Sequence, residues 1–304
     1  MKIKNSALFG ISIFLVILYL LSFTKIFSPE KRKVQKTALL NPKYKEAVTS
    51  IKLSQKDQES LLLEKAGDLW TVRRENSDFS APADSKRIKD FISLLSNIIN
   101  VYKISDKQND YSSFSFDFSL RISYENTFSD IFFGKHDFSQ TLRYFMTGKS
   151  AAVYQAGSQF DNFLTVSKTF WTEPYLISRQ LTSSDIQRIT ISDLESQSRQ
   201  ILTPQNKSFK NYLSELLELR HAGIFSEEDS FQGQTNTEIT KNPVLKLELE
   251  TGNKDQITIS AYRISDENLR LSVNYKKANY TCDLKISNWT FLKLKQKETE
   301  LNYI

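Results

Sequence analysis

The sequence predicts an α+β protein of two related units, each an antiparallel sheet carrying a helix, behind an N-terminal transmembrane helix. Three observations carry that reading. Ala7 to Thr24 is an unbroken uncharged run. Aromatic-rich segments, many of them alternating apolar and polar residues, fill most of the remaining chain and are separated by Asn, Gly, Asp and Ser turns. The order of strand and helix patterns before residue 170 recurs after it.

Composition narrows the function classes. The 304 residues are 39% apolar and 25% charged, a globular balance, and 8 Gly and 6 Pro exclude collagen-like, Pro-rich and glycine-repeat architectures. A single cysteine, Cys282, excludes an internal disulfide and a thiolate zinc site. Two histidines, His136 and His221, leave little for imidazole chemistry, so the expected cofactors and metals are none. The formal charge of +6 is unevenly placed. Residues 1–46 hold nine basic side chains against Glu30 and Glu46, a local +7, which leaves −1 for the rest. A nucleic-acid-binding fold spreads Lys and Arg over one face, so no nucleic-acid partner is expected.

Taken in order, residues 1–6 are a short basic N-terminus and residues 7–27 a signal anchor in the bilayer. At about 1.5 Å per residue, eighteen uncharged residues span about 27 Å, close to the hydrocarbon thickness. Ile26 and Phe27 extend the run if Lys25 snorkels. A cleaved signal peptide is the competing reading, but the run exceeds the usual ~7–15 residues and no small-x-small site follows. Lys25, Lys31, Arg32, Lys33 and Lys36 outnumber Lys2 and Lys4, which by count favours a cytoplasmic domain. Long domains, however, translocate largely regardless of charge, and a short basic N-terminus is the usual start of an exported chain. The residues alone leave the side of the membrane open.

Residues 28–46 read as a basic juxtamembrane linker, without sustained period. The first unit, 47–170, opens with VTSIKLS and then SLLLEKAGDLWTVRR, two strands around a Gly67-Asp68 hairpin. Asp84 is placed to N-cap a helix whose apolar face is Ile88, Phe91, Ile92, Leu95, Ile98 and Ile99. Strands FSFDFSLRISYE, FSDIFFGK, LRYFMTG and SAAVYQAG follow, and the amphipathic stretch SQFDNFLTV closes the unit. The second unit, 171–304, repeats the order. IQRITIS matches VTSIKLS, and Phe209, Tyr212, Leu213 and Leu216 match Ile88, Phe91, Ile92 and Leu95. VLKLELETG, QITISAYRI, NLRLSVNY and NYTCDLKIS match the later strands, and NWTFLK echoes FDNFLT. The Gly67-Asp68 hairpin has no good counterpart between Ser192 and Ile201.

No motif carries chemistry. Thr147-Gly148-Lys149-Ser150 resembles the end of a phosphate loop, but Arg143 stands where the earlier glycine is required, so a β-turn between strands is expected. His136 is expected in a solvated turn, and neither it nor His221 has a visible partner. Glu227, Glu228 and Asp229 read as a solvated acidic loop without the ligand spacing of a calcium site. Trp70 and Cys282 are core candidates, Cys282 facing the same way as Leu284. Most aromatics should fill the core.

The segments LLLEKAGDLWTV (61–72), PADSKRIKDFISLL (82–95), DIFFGK (130–135), RYFMTGKSAAVYQAG (143–157) and LISRQLTSSDIQRITI (176–191) together resemble the bacterial domain of unknown function family 4340, over roughly residues 48–192. One element departs: the family's Tyr-Gly-Leu appears only as Tyr111-Ser112-Ser113-Phe114. The resemblance implies a membrane-anchored extracytoplasmic partner of an ABC-type transporter, similar to gliding-motility auxiliary components, and brings no catalytic residues. The expected function is a non-enzymatic accessory subunit docked on a permease. The alternative is an envelope glycan- or peptide-binding module, and behind it an envelope hydrolase.

Overall fold

The computed structural model describes residues 10–16, 19, 34–67, 69–106, 108–179, 181–225, 242–264, 269–276 and 280–295. In the first unit β1 (Val34–Thr37) and a 3-10 turn (Pro42–Ala47) lead into β2 (Val48–Gln55). β3 (Leu61–Ala66) and β4 (Leu69–Arg74) form the expected hairpin, with Gly67 at a φ of +64° that suits a residue without Cβ. Then come β5 (Ser80–Pro82), α1 (Ser85–Ser96), β6 (Ile99–Ser105), β7 (Phe118–Tyr124), β8 (Thr127–His136), β9 (Leu142–Thr147) and β10 (Val153–Gly157). A 3-10 helix (Ser158–Phe163) and the short α2 (Lys168–Trp171) close it.

The second unit holds β11 (Ile186–Asp193), β12 (Ser198–Leu202), α3 (Lys207–Glu218), β13 (Gly223–Ile224), β14 (Leu245–Thr251), β15 (Gln256–Arg263), β16 (Leu269–Tyr275), β17 (Tyr280–Ile286) and α4 (Asn288–Leu294).

Among the described residues these strands make two wholly antiparallel sheets. The first runs β1-β6-β10-β9-β8-β7-β2-β3-β4-β5 and the second β12-β11-β14-β15-β16-β17-β13. Without β1, β4 and β5 the first sheet reads β3-β2-β7-β8-β9-β10-β6, the same order in space and sequence as the second. The likeness reaches single residues. β2 is irregular between Val48 and Ser50 where it pairs with β7, and β11 is irregular between Ile186 and Arg188 where it pairs with β14. Both sheets thus carry a bulge one residue into the equivalent strand. The second unit does have a counterpart of the β2–β3 hairpin, in β11–β12. What it lacks, among the described residues, is counterparts of β1, β4 and β5.

Alternation aims the core side chains. Ile191, Leu247, Ile259, Val273 and Cys282 stand opposite one another across five strands, and all are buried. In the first sheet Val72, Leu63, Ile51 and Ile122 form a similar row. Trp70 and Cys282 are buried as expected, and Cys282 shares its face with Leu284. Ile88, Phe91, Ile92 and Leu95 of α1, and Phe209, Tyr212, Leu213 and Leu216 of α3, join one buried cluster that runs through both units.

Asp84 caps α1 by accepting the Arg87 N–H at 3.0 Å. The helix stops earlier than its apolar spacing implies: Asn97 is the C-cap, Ile98 is 70% exposed, and Ile99 already belongs to β6. Two apolar residues in succession cannot both continue the helix face and start a strand, and here the strand prevails. The linker expected over 28–46 is also partly ordered, since β1 pairs with β6 from Val34↔Tyr102 to Thr37↔Ile99.

The anchor expected over 7–27 lies mostly outside the described residues. Residues 10–16 are helical and exposed throughout. No helix among the described residues is long and apolar enough to cross a membrane. Glu227, Glu228 and Asp229 lie outside them as well.

Candidate functional site

The two units are stitched together by the chain that joins them. Thr172 bridges to Ala83, and Glu173 N–H bonds Pro82 O at 2.9 Å, so this stretch lies along the end of β5 and the start of α1. Two residues on, Tyr175 bridges to Arg220, His221 N–H bonds Pro174 O, and Leu176 N–H bonds Leu219 O, so the same stretch also runs along the exit of α3. Trp171, fully buried, plugs the crossing point and packs at 5.7 Å from the Phe91 ring, while its indole N–H donates to Thr165 O.

An ionisable group is buried at this seam. Glu173 is only 5% exposed, and its carboxyl is pushed up to about 7. Burial is the main cause and the Asp84 charge the second. The Tyr175 and Arg179 amides and the Arg179 charge pull the other way. His221 faces it from the second unit, its Nε2 donating to Glu173 O at 2.8 Å, and burial holds that imidazole below its usual value. The histidine is therefore a neutral hydrogen-bonding group and not a cation at the end of α3.

Over the seam lies an open cleft of about 430 Å³ lined by Glu218, Arg220, His221, Ala222, Ser287, Trp289 and Thr290. Trp289, on the first turn of α4, is 63% exposed, whereas the other two tryptophans, Trp70 and Trp171, are buried. Arg220 Nη2 donates to Tyr175 Oη at 2.6 Å, and Arg179 binds both Glu218 oxygens at 2.7 and 2.9 Å while lying over the Tyr175 ring. A flat indole beside a carboxylate, a guanidinium and hydroxyls suits binding of a ligand with one apolar and one polar face. For acyl or phosphoryl chemistry the arrangement is poor: Ser287 Oγ is the N-cap acceptor of Thr290 N–H, and His221 Nε2 is held by a backbone carbonyl.

A second cluster corrects the expectation of an isolated His136. That residue ends β8 and is half-buried, with Nε2 2.6 Å from Asp161 Oδ2, while Arg143 Nη1 reaches Asp161 Oδ1 at 2.9 Å. His136 and Arg143 are opposite each other on β8 and β9, so one carboxylate pins the 3-10 helix to two neighbouring strands. Spacing gave no hint of this, because the partners lie on three separate elements. Asp161→Ala should cost about 1–3 kcal/mol in urea unfolding, by stranding two half-buried donors. Asp161→Asn should cost less, and equal loss in both variants would mean that the charge is not what the strands need.

Thr147-Gly148-Lys149-Ser150 is the turn between β9 and β10, closed by Ser150 N–H to Thr147 O at 3.0 Å. Among the described residues no three His, Cys, Asp or Glu side chains are grouped to hold a metal ion.

Comparison with known proteins gives one family. The model described as Domain of unknown function (DUF4340) matches residues 74–300. The match enters at the end of β4 and runs through the whole second sheet, well beyond the 48–192 that the quoted segments cover. No curated protein and no solved structure matches.

Proposed function

The chain belongs to the DUF4340 family, and from that premise we propose that it is a membrane-anchored, non-enzymatic accessory subunit of an ABC-type transport system, with its two-sheet body outside the cytoplasm and docked on the permease. One observation supports this over a loosely tethered binder. β1 is part of the first sheet, so only residues 28–33 separate the anchor's expected end from the body. Six residues reach at most about 20 Å, which keeps the body at the membrane surface, where a permease presents itself. The exposure of Ile11, Ile13, Phe14, Leu15 and Val16, on every side of their helix, fits an apolar surrounding.

The test is association. The full-length protein should co-purify with an ABC-type permease in mild detergent, and an alkaline phosphatase fused after Ile304 should be active. Exchanging residues 7–27 for an unrelated transmembrane helix should weaken the association while the body stays folded, because helix packing helps to place it. Full function with the foreign anchor, and no permease with the native protein, would reject the reading. The exposed Trp289 favours the second reading, an envelope glycan- or peptide-binding module. In that case Trp289→Ala should abolish binding to isolated envelope material, and the foreign anchor should be tolerated.

A further inference from the structure

Among the described residues the duplicated units differ at both edges: β1 has no counterpart beyond the two-residue β13, and β4 has none beyond β12, the longer open strand. In the first, β4 covers the outer side of β3 in antiparallel register from Leu61↔Arg74 to Ala66↔Leu69, and the added strand buries Trp70 and Val72. In the second, β12 takes the place of β3, pairs with β11, and ends the sheet: among the described residues no strand lies on its outer side. Alternate amides and carbonyls of such a strand point outward with ladder spacing. Edges are commonly blunted by charged side chains, proline or a bulge; Ser198–Leu202 has no proline and no break in register, and Arg199 is its single charge. Leu194, in the preceding turn, and Ile201, on the strand, are 48% and 42% exposed, so apolar surface accompanies the open ladder.

We propose that the outer edge of β12 is a strand-acceptor site. It takes an extended, antiparallel segment of a partner protein, with alternating apolar residues and a carboxylate, as β3 takes β4. Charge selects the occupant. Where β3 is covered, its Glu64 is paired with Arg73 of the added strand. β12 carries the opposite sign, Arg199, so its complement is acidic. A second copy of Ser198–Leu202 has no acid to offer. The inference stands whether or not the partner is a transporter.

The probe is a synthetic peptide of residues 67–76 with Arg73 and Arg74 replaced by Glu (R73E, R74E), offered to the full-length protein in detergent. Hydrogen exchange should slow at Ser198–Leu202 and not at Leu61–Ala66. At low salt the acidic peptide should bind at least about tenfold tighter than the unsubstituted one, and Arg199→Glu should reverse that preference. N-methylating one alternate set of peptide amides should abolish binding, while methylating the other set should leave it. Four results would overturn the proposal: no binding at millimolar peptide, equal loss from both methylation patterns, protection on β3, or a dimer of the chain whose β12 protection vanishes on dilution.

Discussion

Leu95→Asp and Leu216→Asp should each remove most or all of the stability of the folded body. Both leucines are essentially buried, at equivalent places on α1 and α3, inside the cluster that spans the two units. Each substitution forfeits a leucine's burial and leaves a carboxylate among apolar side chains. The two effects together exceed about 4 kcal/mol, against a total stability typically of about 5–15 kcal/mol. Ile98→Asp is the informative control: at 70% exposure, just past the helix cap, it should change stability by less than about 0.5 kcal/mol. Urea titration of the full-length protein in detergent, followed by tryptophan emission, reports all three. If either core variant melts with the parent, or Ile98→Asp melts with the core variants, the helix faces are misassigned.

The second large effect is a pH dependence located at the seam. Glu173 titrates at about 7 in the folded chain against an ordinary value of 4.5, so the folded state holds the proton more tightly. Its contribution is therefore most favourable at low pH and is lost as pH rises from about 4.5 through 7. Above that it is a constant penalty of roughly 3 kcal/mol. His221 works in the opposite sense. Its lowered value means that the unfolded state takes up the proton first, so its contribution is lost as pH falls below the usual imidazole range. With Asp84, Arg179 and the buried Tyr280 as the other charged or titratable neighbours, stability should peak in mildly acid solution. Glu173→Gln keeps an acceptor for the Tyr175 and Arg179 amides and removes the charge. It should gain stability at pH 8, gain little at pH 5, and leave the losses on the acid side, from His221 and from the lowered Asp137 and Asp193. A profile unchanged by Glu173→Gln would mean that water reaches the carboxyl.

Much of this architecture was legible from period and order. Strict alternation in β14 to β17 names each buried residue, because a one-residue slip would turn Leu247, Ile259, Val273 and Cys282 to solvent together. The duplication was legible because the apolar spacing of α1 and α3 agrees position by position. Short edge strands were not. β1 has four exposed residues and β13 has only two, and the inner strand β6 was hidden as well, because it shares its first isoleucine with what looks like the end of a helix. Such strands are decided by the partner they pair with, which local sequence does not record. The seam was hidden for a related reason. Glu173 becomes unusual only when the fold buries its carboxyl and brings up the charge of Asp84, far away in the chain. The cleft appeared in the sequence only as one tryptophan among many aromatics, and its exposure depends on how α4 docks.

The strand order has a kinetic consequence. In both sheets the first long strand lies beside one formed much later in the chain: Val48–Gln55 beside Phe118–Tyr124, and Ile186–Asp193 beside Leu245–Thr251. A hairpin and a helix must be synthesised in between, and the ends of that long loop must meet before the central ladder can form. As the chain emerges N-terminus first, β2 waits with an open side until β7 appears, and β11 waits in turn for β14. The body is therefore a slow folder that matures in two successive closures. The interval before each closure is when its unpaired apolar strands are most open to aggregation or to a chaperone.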